Sequence, residues 1–111
     1  AKACLIWQVW HRAFPHATWI IVRRDDEKII DSCMKTTFMR KRKTRESWQE
    51  WIDYHKTCFG DIFKASEHVC EVWPKGMVED PISFYPMVSS LGLEWNAEKV
   101  GDFVTPELWN G

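Results

Sequence analysis

Apolar and polar positions along the 111-residue chain fall into short blocks whose period changes from one block to the next. From Cys4 to Phe14, apolar residues at 6, 10, 13 and 14 share one helical face. Pro15 ends that helix, because the residue before a proline is pushed out of helical backbone angles. Ala17 to Val22 is β-branched and aromatic without alternation, which predicts a strand covered on both faces, as in a parallel sheet. Charged residues Arg23 to Glu27 follow. Asp25 is placed to cap a helix whose first-turn acids suit the helix dipole, with Ile29, Ile30 and Cys33 carrying it toward Phe38. Beyond the polar stretch Arg40 to Arg45, helical spacing returns from Glu46 to about Glu67. It runs through Trp48, Trp51 or Ile52, His55, Phe59 and Ile62 or Phe63, with Gly60 as its weak point. His68 to Trp73 reads as a second short strand closed by Pro74 and Gly76. Asp80-Pro81 supplies the cap and first-turn proline of a helix ending near Gly92, and Asn96 caps a last one, 97–104, before Pro106.

Helix, strand, helix in this order predicts an α/β fold, with short parallel strands flanked by helices in a single domain, 1–111. Fifteen Lys and Arg against 16 Asp and Glu leave a net charge of −1, so nothing steers the whole chain toward nucleic acid. An aromatic content of 14%, including 8 Trp, excludes disorder, and no apolar run is long enough to span a bilayer. Cys4, Cys33, Cys58 and Cys70 form no CxxC pair and read as reduced, buried thiols of a cytoplasmic protein. The chain opens on Ala1 rather than Met, which suggests processing or excision from something longer.

Charge is distributed unevenly. Residues 35–45 hold six basic side chains and no acid, whereas 67–111 hold eight acids and two bases. The most informative stretch is Trp19 to Ser32. A basic residue at the carboxyl end of a parallel strand faces the crevice where open α/β sheets bind ligands. Ser32, eight positions after Arg24, falls two turns into the following helix. A guanidinium and a hydroxyl near a helix start can hold a phosphate.

Phe14-Pro15, a buried strand, Arg24 and then Ser32 together resemble the 3′-phosphate-binding segment of sulfotransferases that use 3′-phosphoadenosine 5′-phosphosulfate (PAPS). Val72 to Pro81, the helix leading to Leu91-Gly92-Leu93, and Asn96 to Pro106 are similar to that family's late strand, Asp-Pro helix start and terminal helix. The resemblance implies a partial P-loop-type sulfotransferase domain, its C-terminal portion. It implies PAPS or its product PAP as nucleotide, bound through Arg24 and Ser32, and sulfuryl transfer to an acceptor hydroxyl or amine without a metal. Arg23 fits less well, its spacing to Ser32 being nine. The family's 5′-phosphosulfate loop is not found: no glycine precedes Gly60 and no GxxxxGK[ST] occurs. The family's catalytic base should fall near Lys2, where no His or Glu stands, so the catalytic residues are unassigned. Pro74-Lys75-Gly76 occupies the place of the family's Tyr-Glu-Asp, and its late Arg-Lys-Gly loop is not found. A sheet without its loop-bearing strand has open edges, so a homodimer or a complementing segment is the expected partner.

Other constellations read more plainly. Arg40 to Arg45 is foremost a solvated loop, then a phosphate or anionic-acceptor contact, and lastly a nucleic-acid contact. It also underlies a rival reading, a non-catalytic helical module docking an acidic partner through residues 40–45. His55 and Cys58 with His68 and Cys70 are zinc-type ligands at a spacing that matches no standard finger. His11 and His16 flank the Phe14-Pro15 turn as surface or hydrogen-bonded residues rather than acid–base groups. Trp7 with Trp10, and Trp48 with Trp51, lie at helical spacing, which suits core positions better than a sugar platform.

Overall fold

The computed structural model describes residues 3–36 and 43–108. The chain divides into two compact units, one of Ala1–Ile21 with Asp25–Glu71, the other of Val22–Arg24 with Val72–Gly111.

In the first unit a 3-10 turn, Ala3–Ile6, leads into helix α1, Trp7–Ala13, and strand β1 follows at Trp19–Val22. Helix α2 spans Asp26–Met34, helix α3 Arg45–Ala65, and strand β2 Val69–Val72. The core forms where α2 meets α3: Ile30, Trp48 and Ile52 are buried, with Ile29, Cys33 and Trp51 packed around them. On α3 the buried residues Trp48, Ile52, His55, Cys58 and Ile62 recur every three or four positions, one stripe of a 3.6-residue period. Thr44 starts this helix by accepting a hydrogen bond on its hydroxyl from the Ser47 N–H at 3.2 Å. That satisfies one of the amides a helix start leaves unpaired, worth about 1 kcal/mol. Trp51 meets Trp48 edge-on at 5.5 Å between ring centres. Gly60 does not break the helix; a side chain there would meet nothing within 4 Å.

Strands β1 and β2 pair in a two-stranded sheet. Trp19 N–H donates to the His68 carbonyl, and Arg23 N–H to that of Val72, both at 2.8 Å. Partners that advance together along both chains make the pair parallel. The expected strand covered on both faces is corrected here: Ile21 is buried, but Ile20 and Val22 are exposed at 47% and 62%. With two strands in the sheet among the described residues each is an edge, and the pleat sends alternate side chains to opposite faces, so one face alone is covered.

The second unit is built from short helical pieces: α4, Pro74–Glu79, a 3-10 turn, Pro81–Phe84, α5, Tyr85–Ser90, α6, Ala97–Phe103, and a last turn, Pro106–Leu108. Pro74 does not close β2 into a loop but opens α4 from its first position, where a missing N–H costs nothing. The single helix expected over 80–92 is two pieces. Pro86 stands at the second position of α5 and has no N–H to continue the preceding turn, so the coil changes there from 3-10 to α. Beyond Ser90, Gly92 takes φ 73°, its N–H bonding to Ser89 and that of Leu93 to Val88. This is the left-handed close that favours glycine. Asn96 caps α6 as expected, its side chain accepting from the Lys99 N–H at 3.0 Å.

Other expectations shift at their edges. Asp25 stands at the cap position of α2 without a side-chain cap bond, and α2 ends at Met34 rather than running to Phe38, which lies outside the described residues. Of the four cysteines, all free thiols, only Cys58 is buried; Cys4, Cys33 and Cys70 are half-buried. The tryptophans divide likewise. Trp48 is 1% exposed, whereas Trp10 and Trp73 are exposed at 44% and 41%.

Candidate functional site

Arg24 lies two residues beyond Val22, the last residue of β1, and belongs to the second unit. Its side chain is half-buried, and its Nε is buried with no hydrogen-bond partner. A buried donor left unmade costs about 1–3 kcal/mol, more for a charged group. Arg23, its neighbour, is engaged. Its backbone is tied into the sheet and its guanidinium lies over the Trp73 ring, 5.2 Å from the ring centre.

Ser32 belongs to the first unit and lies two turns into α2, exposed, with its carbonyl accepting a bond from the Thr36 hydroxyl at 3.0 Å. The first turn of α2 carries Asp26 and Glu27, which by themselves repel an anion. Both are neutralised from α3. Lys56 and Gln49 donate to Asp26, and Arg45 pairs with Glu27 and, at 2.9 Å, with Asp31. The hydrogen bond from Arg45 holds the Asp31 carboxyl below its ordinary value and raises the guanidinium in return.

These ion pairs alter the reading of the basic run. Arg40, Lys41 and Arg42 lie outside the described residues, Lys43 is exposed, Thr44 caps α3, and Arg45 is the first residue of α3. Arg45 is therefore part of the α2–α3 contact and not a free loop cation. The sequence did hold a signal for this: Glu27 and Asp31 are four residues apart on one helical face, a ready seat for one arginine.

The zinc-type constellation does not assemble. His55 and Cys58 lie on the buried stripe of α3, and no group of three such side chains among the described residues is arranged around a metal. His55 is a core residue at 7% exposure, its ring against Trp51 with 4.0 Å between centres. Its Nδ1 lies 2.7 Å from the Trp51 carbonyl, which can only accept, so Nδ1 carries the proton. Burial pushes the Cys58 thiol up, and burial followed by the nearby Cys58 raises Cys4, so neither is an activated nucleophile. Lys2, the place to which the family's base maps, lies outside the described residues.

A family model described as a sulfotransferase domain matches residues 1–90. The chain belongs to that family. As a sulfotransferase domain it is mixed α/β, with two short parallel strands among helices. Arg24 and Ser32 both fall within the matched residues, as do α1 to α5. Among curated proteins, the oxysterol-binding protein homolog 3 of Saccharomyces cerevisiae is 40% identical over 45 residues, which is 40% of this chain and 4% of that protein. The chain thus spans a small part of that relative's length. No solved structure matches. No helix among the described residues is long and apolar enough to cross a membrane.

Proposed function

We propose that this sulfotransferase domain holds the 3′-phosphate of PAPS, or of the product PAP, through Arg24 and Ser32. The observation that carries the reading is the half-buried Arg24 guanidinium beyond the end of β1, its Nε buried and unpaired, in a chain whose family transfers sulfuryl groups. A phosphate oxygen supplies the acceptor that Nε lacks, and a guanidinium matches phosphate with parallel N–H bonds. Ser32 adds a neutral donor. Paired as they are, Asp26, Glu27 and Asp31 oppose the anion less than bare carboxylates would.

The reaction of such a domain moves a sulfuryl group from the phosphosulfate of PAPS to an acceptor oxygen or nitrogen. The sulfur–oxygen bond to the nucleotide breaks as the new bond to sulfur forms, and the acceptor proton passes to a base. Arg24 and Ser32 bind and orient the nucleotide in this scheme, which lowers the barrier by positioning. The base is not assigned to any residue of this chain.

Calorimetric titration with adenosine 3′,5′-bisphosphate, against 5′-AMP, tests the reading on the wild type and on Arg24→Ala. The expected result is binding that needs both the 3′-phosphate and Arg24. Equal affinity for both nucleotides, or binding indifferent to Arg24→Ala, overturns it.

A further inference from the structure

Three of the four histidines wall one cavity of the first unit. His11, Pro15 and His16 come from the stretch before β1, and Ser66, Glu67 and His68 from the stretch before β2, so the cavity lies at the amino ends of the parallel strands. Its volume is about 270 Å³. That is at the small end for sites that hold a small molecule, roughly 300–1,000 Å³. None of these residues belongs to the proposed nucleotide site.

Two helices end at this cavity: His11 stands in the last turn of α1, and Ala65, which also borders it, is the last residue of α3. Helix carboxyl ends carry partial negative charge, and Glu67 adds a carboxylate, so an anion is opposed here and a cation favoured. A metal ion is ruled out, because no three ligating side chains among the described residues are arranged to hold one. An ammonium group makes no such demand. It needs hydrogen-bond acceptors within reach rather than a fixed coordination shell. The walls offer them. The Nδ1 of His11 is buried with no hydrogen-bond partner, and with the ring proton on Nε2 it presents a lone pair. The Ser66 hydroxyl accepts from the His68 N–H at 3.3 Å and keeps a second lone pair. Acceptors of this kind suit an ammonium that carries N–H donors, whereas a quaternary ammonium is held by aromatic faces.

We propose that this cavity binds a small primary alkylamine in its ammonium form. Glu67 supplies the counter-charge, and Nδ1 of His11 and the Ser66 hydroxyl accept ammonium N–H bonds. The short alkyl chain lies against Pro15 and Ala65, with His16 and His68 at the exposed rim. The proposal is independent of the nucleotide reading and uses none of its residues.

The test is titration of the whole ¹⁵N-labelled chain with n-butylammonium chloride, followed through its backbone amide resonances at constant ionic strength. 1-Butanol, which has the alkyl chain without the charge, and tetramethylammonium, which has the charge without N–H donors, are the controls. The titration is repeated on Glu67→Gln and on His11→Phe, which keeps a ring and removes the acceptor. Glu67 is exposed, so Glu67→Gln keeps the fold, and the amide spectrum itself verifies this for both variants. The expected outcome is saturable shifts centred on residues 11–16 and 65–68 with n-butylammonium and with neither control. Affinity should fall about tenfold or more in Glu67→Gln, the loss of a hydrogen bond to a charged group, and fall also in His11→Phe. Absence of saturable shifts overturns the proposal, as do shifts centred elsewhere, equal binding of either control, or an affinity unchanged in Glu67→Gln.

Discussion

Replacing Arg24 by methionine separates a ligand-binding role from a structural one, because the two predict opposite effects on stability. Methionine keeps the aliphatic stem that a half-buried arginine packs, and removes the guanidinium whose Nε is buried without a partner. Leaving such a donor unmade costs about 1–3 kcal/mol, so its removal is neutral or stabilising in the absence of nucleotide. For a chain of this size 1 kcal/mol corresponds to about 4 °C in Tm, and Arg24→Met is expected to melt at the wild-type temperature or a few degrees above it. Affinity moves the other way. A hydrogen bond to a charged group contributes about 1.5–3 kcal/mol, so adenosine 3′,5′-bisphosphate should bind about 10- to 150-fold more weakly. Ser32→Ala should cost less, and the double variant less than the sum of the two, if both groups touch one phosphate. Differential scanning fluorimetry gives the first quantity and calorimetry the second. A variant that melts several degrees lower while binding the nucleotide as the wild type does would refute the argument.

Trp48→Ala, in the core at 1% exposure, should cost about 3–5 kcal/mol in urea unfolding. The lowered carboxyl of Asp31 stabilises the fold above its ordinary value of 3.8, and that contribution fades as pH falls through the lower folded value. Arg45→Gln should therefore flatten the stability curve below about pH 4 in acid titrations followed by circular dichroism. Two glycines should respond with opposite sign in thermal melts. Gly92→Ala forces a φ of 73° on a side chain and should destabilise by about 1–2 kcal/mol, whereas Gly60→Ala, open within α3, should stabilise by up to about 1 kcal/mol.

Much of the fold was legible from local pattern. The α3 stripe, the Asn96 cap and both strands follow from the spacing of apolar residues and from side chains that pair with backbone a few residues away. What local pattern misjudged depended on distant partners or on proline position. The β1 run looks the same whether one face or both are covered, since Ile and Val suit either. Asp80-Pro81 is a sound helix start, but Pro86 five residues on changes the coil, and that effect was open to reading in the sequence. The role of Arg45 needed α2 and α3 side by side. The meeting of His11, His16 and His68 around one cavity rests on the stretches before β1 and β2 lying side by side, for which no sequence spacing offers a signal.

The choice between Arg23 and Arg24 shows how the two levels combine. By spacing alone, Arg24 is preferred because Ser32 lies eight residues on rather than nine. Spacing is a weak ground, since one residue of slack at a strand end is easily absorbed. The structure bears on the same choice through a different property. Arg23 lies over Trp73, a contact worth about 0.5–1 kcal/mol at an exposed ring, and its backbone N–H closes the sheet. Recruiting it for a phosphate would forfeit that contact, whereas Arg24 has a buried donor to satisfy. The same reasoning weakens the rival reading of a basic docking loop: Arg45 already neutralises two acids of α2, and an acidic partner would have to displace both of them to reach it.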